Sequence, residues 1–136
     1  MFLIYNMITA FAAFSRIPMP RIDYSEKNTK YSLCFFPLVG AAVGALMLLV
    51  HALCTWLAIG TVFRAALLLA VPVLVTGGIH LDGYCDTVDA LSSFASREKK
   101  LQILKDPNAG AFAVIYCGLW YFLYFGALTE LDAAFY

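Results

Sequence analysis

The sequence predicts an all-α, polytopic integral membrane helical bundle with three spans and an N-terminal re-entrant or interfacial helix. Three observations carry this reading. Of the 136 residues, 62% are hydrophobic and 13% charged, where soluble domains run near about 25% charged. The mean hydropathy is +0.81. The apolar residues also gather in long runs almost free of charge. So little polar surface cannot cover a water-soluble globule, so most of the chain faces lipid or other buried helices, and a soluble enzyme is excluded. Nine basic residues against nine acidic ones leave a formal charge of zero, which removes the basic excess that a nucleic-acid partner requires. Residues 1–136 read as one membrane domain.

Taken in order, residues 1–14 (MFLIYNMITAFAAF) are apolar but too short for a full crossing, and they carry Asn6 and Thr9 inside the run. A secretory signal does not fit, because neither a basic leading region nor a small-residue cleavage site is present before Ser15, Arg16 and Pro18. This segment is therefore predicted to be re-entrant or interfacial. Residues 35–59 hold no charge and are long enough to span with some tilt. Within them Gly40 and Gly44 form a G-x-x-x-G flanked by Ala41 and Ala45, a spacing that lets a second helix approach, from this chain or from a second copy in a homo-oligomer. After a connection at Gly60 and Thr61, residues 65–81 form a second run with Pro72 inside and Gly77 and Gly78 near its end. At about 26 Å if helical throughout, it only just crosses. Residues 109–128 form the third span and contain Trp120, Tyr121 and Tyr124, rings suited to an interface.

Counting Lys and Arg in the short loops orients these spans. Residues 15–34 carry Arg16, Arg21, Lys27 and Lys30, and residues 82–108 carry Arg97, Lys99, Lys100 and Lys105. The first interhelical connection has only Arg64. Two crossings separate the two basic loops, so they share a face, and the positive-inside rule predicts that this face is cytoplasmic. The four cysteines, at 34, 54, 85 and 117, show neither a C-x-x-C nor a zinc-ligand spacing, and they read as small apolar groups. His51 reads as a packed neutral imidazole.

The segment that carries chemistry is Thr76 to Leu91, TGGIHLDGYCDTVDAL. Asp82, Asp86 and Asp89 fall at i, i+4 and i+7, which places three carboxylates within about a 60° arc of one helical face. No Lys or Arg lies between positions 80 and 92 to neutralise them, so a cation between them is expected. All-oxygen ligands select Mg²⁺, Mn²⁺ or Ca²⁺ over zinc. The alternative is a solvated acidic face on a helix extension. Its place at a membrane exit, next to glycines that admit close backbone approach, favours the metal reading. His80, two residues before Asp82, reads as an interfacial anchor, a substrate contact or a ligand. Beyond the acids, Ser92 to Ser96 form a polar turn. Arg97, Lys99, Lys100 and Lys105 then lead into Lys105-Asp-Pro-Asn-Ala-Gly-Ala-Phe112. A carboxylate-bound metal beside a basic loop is the layout that handles a phosphate or diphosphate. Pro107 and Gly110 are expected to hold Lys105 and Asp106 in a tight turn at the membrane edge.

Four blocks in this order resemble the cobalamin synthase family, adenosylcobinamide-GDP ribazoletransferase: Phe14-Ser-Arg-Ile-Pro-Met-Pro20, Phe36-Pro-Leu-Val-Gly-Ala-Ala-Val-Gly44, the H-L-D-G-x-x-D-T-x-D block from His80 to Asp89, and Leu104-Lys-Asp-Pro-Asn-Ala-Gly-Ala-Phe112. The resemblance implies an inner-membrane, Mg²⁺-dependent transferase. Such an enzyme joins α-ribazole, or its 5′-phosphate, to adenosylcobinamide-GDP with release of GMP, late in adenosylcobalamin biosynthesis. It implies Asp82, Asp86 and Asp89 as metal ligands and catalytic carboxylates, with one of them, Asp89 for instance, accepting the proton of the attacking ribose hydroxyl. Lys105, Arg97, Asp106 and His80 become the substrate-binding candidates. In the turn before the third span this chain has Asn108 and Ala109 where many relatives carry a basic or bulky residue, so no phosphate contact is carried onto position 108. Members of the family usually continue well past this length, so the chain is expected to be an N-terminal portion of the family fold.

Three rival readings have sequence signatures of their own. A CDP-alcohol phosphotransferase needs an arginine after its D-G-x-x-A, and Asp82-Gly83 is followed by Tyr84-Cys85-Asp86-Thr87. A prenyltransferase needs D-D-x-x-D blocks, which are absent. A divalent-cation transporter or structural subunit predicts carboxylates deep within a span, whereas these sit just outside one.

Overall fold

The computed structural model describes residues 2–22 and 29–131, and over these it is helical without strands. Lys27, counted above among the basic loop residues, lies outside the described residues. The chain divides into two compact units, Met1–Gly78 and Ile79–Tyr136.

In the first unit, α1 (Phe2–Phe14) has 13 residues, about 20 Å of helix, too short to cross a bilayer alone. Asn6 and Thr9 are buried together with Ala10, and their polar atoms are bonded. The Asn6 side-chain amide donates to the Phe2 carbonyl at 3.0 Å, and its oxygen accepts the Tyr31 backbone N–H at 2.8 Å. The Thr9 hydroxyl donates to the Tyr5 carbonyl at 2.9 Å. Asn6 thus ties α1 to the 3₁₀ turn Ser32–Phe35 that opens the next helix, and the Phe2–Tyr31 and Phe14–Phe36 ring pairs, at 5.6 and 5.0 Å, close both ends of the contact.

Pro37 starts α2 (Phe36–Trp56), where its missing N–H costs nothing. With the 3₁₀ turn, the element Ser32–Trp56 has 25 residues and is long and apolar enough to cross a membrane. At its end Ala58 adopts φ 52°. The Ile59 N–H returns to the Cys54 carbonyl and the Ala58 N–H to Thr55, at 2.8 and 3.1 Å, the Schellman closure that usually takes glycine. α3 (Thr61–Thr76) packs back on α2. Buried in this hairpin is Arg64, 9% exposed, whose guanidinium donates to the hydroxyls of Thr55 and Thr61 at 3.2 and 3.5 Å. The sequence expectation of a continuous run over 65–81 differs here. The helix stops at Thr76 because Gly77 and Gly78 take φ 68° and 79°, left-handed values that glycine accepts without a Cβ clash. Arg16 lies directly over Gly77, filling the space that a side chain would need, and its backbone N–H donates to the Val75 carbonyl at 2.7 Å. No described atom lies within 4 Å of where a Cβ would stand on Gly40 or Gly44, so that small-residue face has no helix seated on it among the described residues.

In the second unit, α4 (Ile79–Ser92) packs along α6 (Ala111–Glu130), with the short α5 (Arg97–Ile103) between them in sequence. The Ser96 hydroxyl caps α5 by accepting the Lys99 N–H at 3.4 Å. The 20 residues of α6 suffice to cross a membrane. Among the described residues two helices therefore meet the length and apolarity of a span, and a third span requires α3 and α4 to count together as one broken crossing.

Candidate active site

The three aspartates do share one helix, α4, as their spacing predicts. Burial separates them: Asp82 is exposed, Asp86 is half-buried, and Asp89 is 8% exposed. Asp89 differs most from expectation. Its Oδ2 accepts the backbone N–H of Gly110 at 2.5 Å, and its Oδ1 accepts that of Ala113 at 2.9 Å. These are the amides of the N-cap and of the third residue of α6, and the N-cap, Gly110, has no side chain to satisfy the latter. Both oxygens of Asp89 thus face the positive end of a helix. A carboxylate held this way is poorly placed to take the proton of a substrate hydroxyl.

Among the described residues, no group of three or more His, Cys, Asp or Glu side chains is gathered so as to hold a metal ion. The other two carboxylates of α4 are those of exposed Asp82 and half-buried Asp86, about one helical turn apart. Mg²⁺ is commonly held by one or two carboxylates while water and substrate phosphates complete its octahedron, so this pair fits that ion in donor type and number. His80 lies exposed in the first turn of the same helix. The Thr87 hydroxyl is turned back on the helix, donating to the Gly83 carbonyl at 2.7 Å.

The basic candidates stand on the following segment. Arg97 is the first residue of α5, and Lys105 follows its end, with the Lys105 N–H donating to the Gln102 carbonyl at 3.1 Å. Both are exposed, and among the described residues no ion pair joins either of them to the three aspartates. The expected tight turn is present. Asp106 Oδ1 accepts the Asn108 backbone N–H at 2.9 Å and its side-chain N–H at 2.8 Å, an Asx turn that spans Pro107. Asn108 thereby holds the Asp106 carboxyl below its ordinary range, through its backbone first and its side chain second, with Lys99 adding a weaker pull. With its folded-state pKa lowered, Asp106 favours the folded turn above the ordinary carboxylate pKa, and that contribution is lost as pH falls through the lowered value. Asn108→Ala removes the side-chain bond and keeps the backbone one. A carbon-13 NMR titration is expected to find the Asp106 pKa raised by that substitution but still below the ordinary value.

The family model described as cobalamin-5-phosphate synthase matches residues 6–136. The chain belongs to this family. Curated relatives named adenosylcobinamide-GDP ribazoletransferase include one from Lachnoclostridium phytofermentans, 47% identical over 90% of this chain and 47% of its own. Another, from Clostridium botulinum strain Eklund 17B, is 37% identical over 90% of this chain and 49% of its own. A third, from Geobacillus thermodenitrificans, is 36% identical over 93% and 51%. The chain thus spans about half the length of the relatives it matches. No solved structure matches it.

In this family member, Gly110 is the residue whose role sequence reading missed. Its φ of −84° is open to any residue, so the need for glycine lies in space. A Cβ there would stand 2.7 to 2.9 Å from the Asp89 carboxylate. The available signal was a helix start, Gly-Ala-Phe-Ala, lacking any Ser, Thr, Asp or Asn at the cap.

Proposed function

We propose that this chain contributes the diphosphate-handling half of an adenosylcobinamide-GDP ribazoletransferase. In that reaction a ribose hydroxyl of α-ribazole, or of its 5′-phosphate, forms a new bond to phosphorus as the anhydride bond to GMP breaks. The reading is supported by the family membership together with one structural observation: Asp82, exposed, and Asp86, half-buried, share a helix with Asp89, whose own carboxylate is already engaged. These two would hold Mg²⁺, which when bound offsets the diphosphate charge and makes GMP a better leaving group. Lys105, fixed at the start of the Asx turn, and Arg97, at the head of α5, would bind phosphate oxygens. Asp106 shapes that turn through Asn108 and so sets where Lys105 stands. His80, at the head of the acidic helix, is the remaining substrate contact. The surrounding apolar helices keep the reaction at the bilayer, and the inner-membrane, cytoplasm-facing placement read from the basic loops belongs to the same proposal.

The test is GMP release from adenosylcobinamide-GDP and α-ribazole by the protein in detergent, with Mg²⁺ or with EDTA. One GMP per corrinoid product, formed with Mg²⁺ and abolished by EDTA, is the expected result. Release unaffected by EDTA would refute the metal assignment. The absence of release, persisting when the second half of a relative is co-expressed, would refute the reaction.

A further inference from the structure

We infer that Asp89 is a positioning residue and not a third metal ligand: it caps α6 from the neighbouring helix, and Gly110 is the socket that receives it. This deepens the reading above and rests on it for its functional consequence, while the clamp itself stands on geometry alone. Both Asp89 oxygens are committed, one to the Gly110 N–H and one to the Ala113 N–H. Ala113 occupies the third helical position, the amide that a capping side chain ordinarily serves. A cation approaching Asp89 would have to displace these charge-assisted bonds and leave the half-buried Gly110 amide and the buried Ala113 amide without acceptors. Ala113, at 1% exposure, is sealed against water that would otherwise replace them.

The clamp accounts for two features at once. It explains glycine at 110, where φ makes no demand but the Asp89 carboxylate occupies the Cβ position. It also explains the third aspartate of the motif, which fixes the rotation of α4 about its axis. Asp86 lies a little less than one turn before Asp89 and Asp82 about one turn before that, so the direction in which these two project follows from how Asp89 is seated. The same bonds fix the end of the turn that carries Lys105 and Asp106, because that turn finishes at Gly110. Asp89 therefore acts on the reaction through its neighbours.

Amide hydrogen exchange on this chain in lipid nanodiscs tests the clamp without reference to activity. In Asp89→Ala the Gly110 and Ala113 amides should exchange at least about tenfold faster than in the unmodified chain, while Asp82→Ala leaves them unchanged. Gly110→Ala should produce the same local loss with Asp89 intact, because the added methyl expels the carboxylate. Unchanged protection of both amides in Asp89→Ala would overturn the proposal. In the GMP-release assay, Asp89→Asn should lower kcat by about tenfold, in the range of other supporting contacts at metal sites, with half-saturating Mg²⁺ kept within about twofold. A rise of about tenfold or more in half-saturating Mg²⁺ for Asp89→Asn would make Asp89 a ligand and overturn the positioning role. If neither the variants nor the unmodified protein releases GMP even with the second half of a relative co-expressed, the reaction assignment fails, and the exchange result decides the clamp separately.

Discussion

Asp86→Ala is expected to reduce Mg²⁺-dependent GMP release by about a thousandfold at saturating substrates, equivalent to roughly 4 kcal/mol of transition-state stabilisation. Asp86 stands at the centre of the acidic helix, half-buried, one turn from exposed Asp82 and less than one turn from the seated Asp89. Removing it halves the carboxylate charge available to the cation and leaves Asp82 alone to present the ion to a diphosphate. Asp82→Ala should act in the same direction. Thr87→Val is the matched control: Thr87 is exposed and its hydroxyl is turned back to the Gly83 carbonyl of its own helix, so release should stay within about twofold of the unmodified protein. A loss of less than about tenfold in Asp86→Ala would remove that residue from the reaction.

The second large effect concerns stability. Arg64→Ala should lower the unfolding free energy by about 2–4 kcal/mol, from lost packing of the buried stem together with lost charged hydrogen bonds. The guanidinium sits at 9% exposure in the α2–α3 hairpin, bonded to Thr55 and Thr61. Thr55 itself donates to the His51 carbonyl at 3.0 Å, so a chain of bonds runs from one helix to the other. Arg64→Met keeps most of the volume and should recover about half of the loss, while Thr55→Val should cost about 1 kcal/mol. Denaturant unfolding in detergent reads all three. Equal stability of Arg64→Ala and the unmodified chain would show that the hairpin does not depend on this contact.

Much of the architecture was legible because apolar runs of 20 residues or more have few alternatives to a long helix, and the helices Phe36–Trp56 and Ala111–Glu130 fall close to the expected 35–59 and 109–128. The middle span was misjudged at its end. Gly77 and Gly78 were visible as breakers, but composition alone does not say whether a pair of glycines bends a helix or is carried within one, and the left-handed φ values decide it. Asn6 and Thr9 looked like interruptions of an apolar run and proved to be its inward face, since a buried polar side chain that finds backbone partners costs little. Arg64 was counted only as a loop charge, because its burial depends on threonines brought to it by the hairpin. In the candidate site, the helical spacing correctly gathered the aspartates on one element, yet periodicity is blind to what faces that element. The amides of α6, 21 and 24 positions away, separate Asp89 from the other two.

The most direct test of the central claim, that Asp82 and Asp86 form a divalent-cation site for a diphosphate, is an electron paramagnetic resonance titration of the protein with Mn²⁺, with and without adenosylcobinamide-GDP. Saturable binding that tightens with the diphosphate, competes with Mg²⁺ and is lost in the Asp82→Ala/Asp86→Ala double variant is the predicted result. Mn²⁺ binding of equal strength in the double variant and the unmodified chain would contradict it.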